Sequence, residues 1–243
     1  MTQSSGIGCS PTRPATRGNR CRTGPRGGSH PRTVGGPRSG RSGAVTARNP
    51  GPPVHDDLCT ITDEHGRIRH EFTAIGPNQL WLTDITEHKT AEGKLYLCAI
   101  KDVFGNRIVG YSIDSRMKSS LAVNALNNAA AMRGNVAGCI VHSDRGSQFR
   151  SRKFLRALTY HRLVGSMGRV ASCGDNAAIE SFFALLQKNV LDRRSWTTRD
   201  QLRIAIVTWV ERTYHRRRRQ AALGRLTPVE FETIMNTTAA LAA

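Results

Sequence analysis

Apolar and polar positions first fall into a regular order at Asn78. Residues Gln79 to Glu87 (QLWLTDITE) read as a strand, Lys94 to Val103 (KLYLCAIKDV) as a second and Arg107 to Ile113 (RIVGYSI) as a third. Gly93 and the Phe104-Gly-Asn106 stretch supply tight turns between them, which predicts an antiparallel meander. The pattern then changes to a helical period. Leu121, Ala125, Leu126 and Ala129 share one face of a helix over 119–133, with Ser119 or Ser120 as its cap and Gly134 as its stop. Cys139 to His142 is a short buried strand, Lys153 to Tyr160 a helix and Arg162 to Ser166 a fifth strand. A long helix runs from about Asn176 to Val190 on Ile179, Phe182, Phe183, Leu186 and Val190, with Asp175 as its cap. A last helix runs from Arg199 to Thr213 on Leu202, Ile206, Trp209 and Val210.

Three strands, helix, strand, helix, strand, helix is the order of one mixed five-stranded sheet flanked by helices. The predicted class is α/β, in the order of a ribonuclease-H-like fold. The expected organisation is a disordered basic tail at 1–53, a connector at 54–77, a core at 78–195, a helical extension at 196–235 and a short tail at 236–243.

Composition adds a partner. The formal net charge is +18, a field that attracts polyanions. Residues 1–53 carry nine Arg and no acid, and residues 54–243 still hold 27 basic against 18 acidic residues. The core is therefore basic in its own right, and nucleic acid is the expected partner. The first 53 residues, rich in Gly, Arg, Pro, Ser and Thr, bury too little to offset their ordering entropy. A solvated tail, a non-specific DNA tether, a transit peptide and non-native coding sequence all fit that composition. No apolar run reaches the roughly 18 residues of a membrane span, so no membrane partner is expected. The six Cys form no Cys-x-x-Cys pair, and Cys98 and Cys139 sit in apolar runs as core residues, a usage that suits the cytoplasm.

Two acids stand where packing alone does not put them. Asp84 lies mid-strand between Leu82 and Ile85, and a buried carboxylate is costly unless paired or metal-bound. Asp144 follows the buried run 139–142, at a carboxyl strand end. Glu180 lies on the long helix, on a flank shared with Asn176, Ala184 and Gln187. Each has an ordinary alternative: a loop acceptor, a helix cap and a solvated helix residue. Together they suit phosphodiester chemistry, in which two Mg²⁺ ions about 3.5–4 Å apart serve the attacking and leaving oxygens. Hard cations take oxygen ligands, so three carboxylates are an appropriate donor set.

Four runs carry a resemblance. They are Pro77-Asn-Gln-Leu-Trp-Leu-Thr-Asp-Ile-Thr86, His142-Ser-Asp-Arg-Gly-Ser-Gln-Phe149, Cys173-Gly-Asp-Asn-Ala-Ala-Ile-Glu-Ser-Phe-Phe183 and Leu223-Gly-Arg-Leu-Thr-Pro-Val-Glu-Phe231. In this order, over 78–232, they resemble the integrase-type core of bacterial insertion-sequence transposases, as the second-frame (OrfB) product. The 35 residues between Asp144 and Glu180 match the D-D-35-E spacing of that group and of retroviral integrases. The resemblance implies a DNA transposase cutting and joining strands at the inverted-repeat ends of its element, with two Mg²⁺ or Mn²⁺ ions on Asp84, Asp144 and Glu180. It further implies DNA contacts for Arg145 and Gln148, with Asn176 beside them at the start of the helix. Outside the family pattern, Lys188 is a candidate DNA contact, and the basic run Arg216, Arg217, Arg218 and Arg219 reads as either phosphate contacts or a solvated surface. Ser143 and Gly146 would shape the loop after the second ligand, and Asn176 would orient Glu180. The implied setting is a homo-oligomer on DNA, in the cytoplasm at the nucleoid, with a first-frame helix-turn-helix protein as partner.

The sequence departs from the family at three points. Gln187 stands where many relatives carry Lys or Arg, and Lys188 is about 100° round the helix from it. The late motif begins Tyr214-His215 where Tyr-Asn is usual. Residues 1–77 lack helix-turn-helix periodicity. A truncated, catalytically impaired DNA-binding relic is therefore the alternative expectation, with a nuclease for RNA–DNA hybrids as a third.

Overall fold

The computed structural model describes residues 52–168 and 177–241. The expected disordered tail, the Asp175 cap and Asn176 lie outside them, apart from the tail's last two residues.

The stretch expected to be a plain connector contains a hairpin, β1 (Thr60–Thr62) against β2 (Ile68–His70). Its turn is built by Asp63, whose Oδ1 accepts the backbone N–H groups of His65 and Arg67 at 2.9 Å each. Gly66 supplies the positive φ of +73°. The strands are three residues long and mostly solvent-facing, so they lack the alternation that marks a strand.

β3 (Leu80–Thr90), β4 (Gly93–Asp102) and β5 (Ile108–Asp114) form the expected antiparallel meander. α1 (Ser119–Arg133) comes next. It starts differently from expectation: Lys118 is the cap residue and no side-chain cap bond forms, because Ser119 is already helical. Gly134 ends it as expected, its N–H on Ala130 O at 2.9 Å. β6 (Ile140–Ser143), α2 (Arg152–Tyr160), β7 (Val164–Met167) and α3 (Ala177–Asn189) complete the predicted order. The sheet order is β5-β4-β3-β6-β7, with β6 parallel to both β3 and β7. β3 is thus the central strand.

Two apolar clusters cover the sheet. On one face Trp81, Ile85, Ile100, Val109 and Val141 pack under α1 and α2. Gly110 lets α1 approach: a Cβ there would lie 2.4 Å from Ala125 O. On the other face Leu80, Leu82, Leu97 and Ala99 pack under Ile179, Phe182 and Leu186 of α3, joined by α4 (Arg199–Thr208). Phe183, expected in the buried stripe, is only half-buried.

The last helix departs from expectation. After Thr208 the chain forms a π-helical turn, Trp209–Tyr214, with His215 N bonded to Val210 O at 3.0 Å. The wider turn buries Trp209, Val210 and Tyr214 together, and Tyr214 donates to Asn106 O at 2.8 Å. A further helix, α5 (Pro228–Leu241), occupies most of the expected 236–243 tail. It begins with a reciprocal capping box. Glu230 N–H bonds Thr227 Oγ1 at 3.2 Å and Thr227 N–H bonds Glu230 Oε2 at 2.9 Å, with Pro228 at the first helical position.

α5 is fastened by a buried ionic cluster. Arg133 pairs with Glu232 and with Asp102 (3.2 Å), and Arg107 pairs with Glu232 at 2.8 Å. Asp102, fully buried, also accepts the N–H groups of Asn78 (2.9 Å) and Phe104 (3.0 Å). Removing one partner leaves a buried charge uncompensated. Glu232→Ala is expected to lower unfolding free energy by about 3–5 kcal/mol, measured from the denaturation midpoint. Glu232→Gln, which keeps acceptors, should lose less.

Candidate active site

The parallel pairing of β3 with β6 determines where two of the acids meet. Its register sets Leu80 opposite Ile140, Trp81 opposite Val141 and Leu82 opposite His142. Carried two residues further, the same register sets Asp84 opposite Asp144. Side chains two apart share a face, so both carboxyl groups lie on the face that α3 covers. Glu180 enters from the first turn of α3.

Two of the three carboxyl groups are held above their ordinary range. Burial pushes the Asp84 carboxyl up to about 7, and the negative charges of Asp144 and then Glu180 push in the same direction. The Ile85 N–H, bonded to Asp84 Oδ1 at 2.7 Å, opposes the rise. Asp144 is also raised by burial, opposed by the Gly146 N–H at 2.9 Å. Asp84 and Asp144 are half-buried, whereas Glu180 is exposed. Oxygen donors of one charge, two of them held above their ordinary range, are a donor chemistry that suits a divalent cation, which offsets that charge and accepts oxygen ligands.

The loop after Asp144 is closed on the protein. Arg145 is half-buried with Nε on Gly168 O at 2.9 Å, and Gly168 N–H bonds Ser143 O at 3.1 Å. Gln148 donates to Met117 O at 3.3 Å, and Phe149 is buried as the anchor. A Cβ at Gly146 would lie 2.8 Å from Asp144 Oδ1, so the close approach needs glycine. Ser143 is buried and donates to Asp144 O at 3.1 Å.

The other expected contacts stand apart. Lys188 is exposed in the last turn of α3, about 12 Å along the axis from Glu180. Gln187 contacts Asp192. The arginine run 216–219 comes directly after Tyr214 and His215, which bond to Asn106 O and Ile108 N at the β4–β5 connection. That connection adjoins the amino end of β3. Arg216, Arg217 and Arg219 are exposed and Arg218 is half-buried. Arg219 is engaged with Arg225 O at 3.0 Å.

Sequence reasoning misses Lys101. It is 4% exposed, and its Nζ donates to Ala178 O at 2.8 Å, in the first turn of the helix that carries Glu180. Burial lowers its ammonium to about 8. The one signal in the sequence is a lysine inside the apolar run Leu97-Cys-Ala-Ile-Lys101.

A mixed sheet in this order, flanked by helices, is the architecture of an integrase-type core. Models of the integrase core domain match residues 75–173 and, in a second form, 162–228. The transposase InsF of insertion sequence IS3 from Escherichia coli K12 is 36% identical over 188 residues, covering 77% of this chain and 62% of the relative. An uncharacterised 31 kDa protein of insertion element IS600 from Shigella sonnei is 36% identical over 188 residues and is covered over 66% of its length. The integrase catalytic core domain of HTLV-2, solved in complex with magnesium as a trimer, superposes with a TM-score of 0.52 at 20% identity, over 66% of this chain and 99% of that one. The fold is that of the retroviral integrase cores, ribonuclease-H-like as expected. The chain belongs to the integrase-core family and is similar to the transposases of bacterial insertion sequences. It spans about three fifths of the length of the IS3 transposase it matches. Among the described residues no helix is long and apolar enough to cross a membrane.

The raised Asp84 carboxyl gives stability a pH dependence. Unfolded, this group releases its proton near 3.8; folded, near 7. Between those values the folded chain holds the extra proton, so stability falls as pH rises through the window. With a chelator present, Tm should drop between about pH 5 and 7.5 by more in the parent chain than in Asp84→Asn.

Proposed function

We propose that this chain cuts DNA strands and transfers them at the ends of an insertion sequence. The observation that supports this most is the strand register that sets Asp84 opposite Asp144, within the electrostatic reach of Glu180. In this reading the three are the ligands of two Mg²⁺ or Mn²⁺ ions and constitute the catalytic group. When bound, such ions supply an activated oxygen nucleophile and stabilise the leaving oxygen.

The chain's own residues supply position. Pairing with β4 opposite Ala99, and with β6 through Leu82, fixes the strand at Asp84. The Gly146 N–H orients Asp144, and the loop bond from Arg145 to Gly168 O holds the turn around it. Lys101 holds the first turn of α3 and so sets where Glu180 enters; it is a positioning residue. Arg145, Gln148, Lys188 and Arg216 to Arg219 would contact DNA phosphates, together with Asn176. The arginine run, at the amino end of β3, suits DNA entering along the protein away from the reacting phosphate. The chain would work as a homo-oligomer on paired ends, with a helix-turn-helix protein from a first reading frame, in the cytoplasm at the nucleoid.

The test uses labelled DNA carrying the element's terminal repeats, with Mg²⁺ or Mn²⁺. Glu180→Gln, close in size, should lower cleavage and joining by more than about 100-fold, the upper end of what loss of a supporting residue costs, while DNA binding persists. Equal turnover by parent and variant would refute the assignment. Inactivity of both with DNA still bound would favour a relic.

Phosphate contact by the arginine run is tested separately. Each contact contributes about 0.9 to the slope of log K against log salt. Replacing Arg216 and Arg217 with Ala should flatten that slope by about 2, leaving the metal dependence of cleavage unchanged. An unaltered slope would assign the run to solvent.

A further inference from the structure

The front hairpin and strand β6 bring together a second group of donors, distinct from the three acids. Asp57, His70 and His142 each direct one ligand atom into a space where all three atoms lie within 4.8 Å of one another. His70 Nε2 and Asp57 Oδ2 are 2.7 Å apart, with both side chains 10% exposed. His142 is 1% exposed. We propose that Asp57, His70 and His142 bind a single Zn²⁺-class transition-metal ion that clamps the hairpin to β6.

The donor chemistry supports a borderline cation. Two imidazoles and a carboxylate are a recurring zinc set, with bonds of about 2.0–2.2 Å and a fourth position for water. Tetrahedral bonds of that length space the donor atoms about 3.4 Å apart, so the His70–Asp57 pair opens by less than an ångström. The ion takes the place of the proton shared by that pair. Mg²⁺ is a poor competitor here, since it prefers oxygen ligands in an octahedron.

The surroundings are built as an outer shell. His142 Nδ1 meets Ser166 Oγ at 2.9 Å, the kind of second bond that orients a ligating imidazole through its other nitrogen. Ser166 is the cross-strand partner of His142 on β7, and its Oγ also accepts the Leu58 N–H at 2.9 Å. Phe72 packs against both rings, with centroids 5.7 Å from His70 and 5.4 Å from His142. Such an apolar lid limits water access. Two ligands come from the segment preceding the core and one from the core itself. The join is short in sequence terms as well: His142 lies two residues before Asp144, on the same face of β6. A clamp at His142 therefore holds the end of the strand that presents Asp144.

The experiment uses the full chain carrying Asp84→Asn, Asp144→Asn and Glu180→Gln, so that the three acids contribute no site. After removal of metal by a chelator, Co²⁺ and then Zn²⁺ are added. The expected result is visible Co²⁺ absorption of a nitrogen–oxygen site, displaced by Zn²⁺ at one equivalent. His70→Ala in the same background should abolish it. Asp57→Asn, which keeps the side-chain shape, should weaken Zn²⁺ binding by at least about 10-fold. Zn²⁺ at about 100 times its Kd should raise Tm in the parent background by an amount matching about 2.7 kcal/mol, with no rise in His70→Ala. Absence of stoichiometric Co²⁺ or Zn²⁺ binding in a folded parent background would overturn the proposal. So would unchanged binding in Asp57→Asn, which keeps it testable if His70→Ala fails to fold. Because the three acids are absent throughout, neither result bears on strand transfer.

Discussion

Hydrogen bonding between β3 and β6 is the interaction on which the rest of this protein depends. β3 is an antiparallel partner to β4 on one side and a parallel partner to β6 on the other. A slip of one residue in that second pairing would turn the β6 side chains to the opposite face. Asp144 would then point toward α1 and α2, and Val141 would leave its apolar cluster. Register is held by this burial: Trp81 and Val141 face one core while Leu82 and His142 face the other. Ordinary apolar packing thereby places two carboxylates side by side, an arrangement that packing itself does not favour.

That conflict is balanced locally. Backbone N–H groups of Ile85 and Gly146 reach one oxygen of each acid, and both groups still remain raised. Lys101 sits on the same face, opposite Leu82 in the register, yet its ammonium is directed at Ala178 O. It therefore fixes the helix bearing Glu180 and does not neutralise the acids by direct pairing. The arrangement keeps the carboxylate oxygens for a ligand, and it makes α3 depend on β4. α5 is tied to the same sheet by the Arg133–Asp102–Glu232 cluster, so the last helix and the central meander share one buried ionic contact.

The segment preceding the core is integrated with it. Met167 N–H bonds Asp56 O at 3.2 Å and Leu58 N–H bonds Ser166 Oγ, which attaches the hairpin segment along β7. β7 would otherwise be an open edge offering its polar backbone to other chains. The hairpin segment covers part of that edge and simultaneously closes over His142.

The sequence alone determined the order of elements from β3 to α3, because alternation and helical periodicity are local properties of long, half-buried segments. It also picked out Asp84 and Asp144, since a carboxylate inside an apolar run conflicts with burial wherever the run packs. Glu180 was legible only through the motif spacing, because an exposed helical glutamate conflicts with nothing locally. Other features were decided by the tertiary structure. The β1–β2 hairpin is too short to show a period, and its stability comes from Phe72, Cys59 and Ser166 contacts distant in sequence. The π turn at 209–214 exists because Trp209 and Tyr214 must both be buried, which no local propensity specifies. α5 had a capping box in its letters, Thr227 to Glu230, but the helix is held by an ionic partner in α1, 99 residues away. Lys101 and His142 read as a charged residue and a core histidine in isolation. Only the packing of α3 and of the front hairpin against the sheet gives each its partners, because those contacts join segments that the sequence keeps far apart.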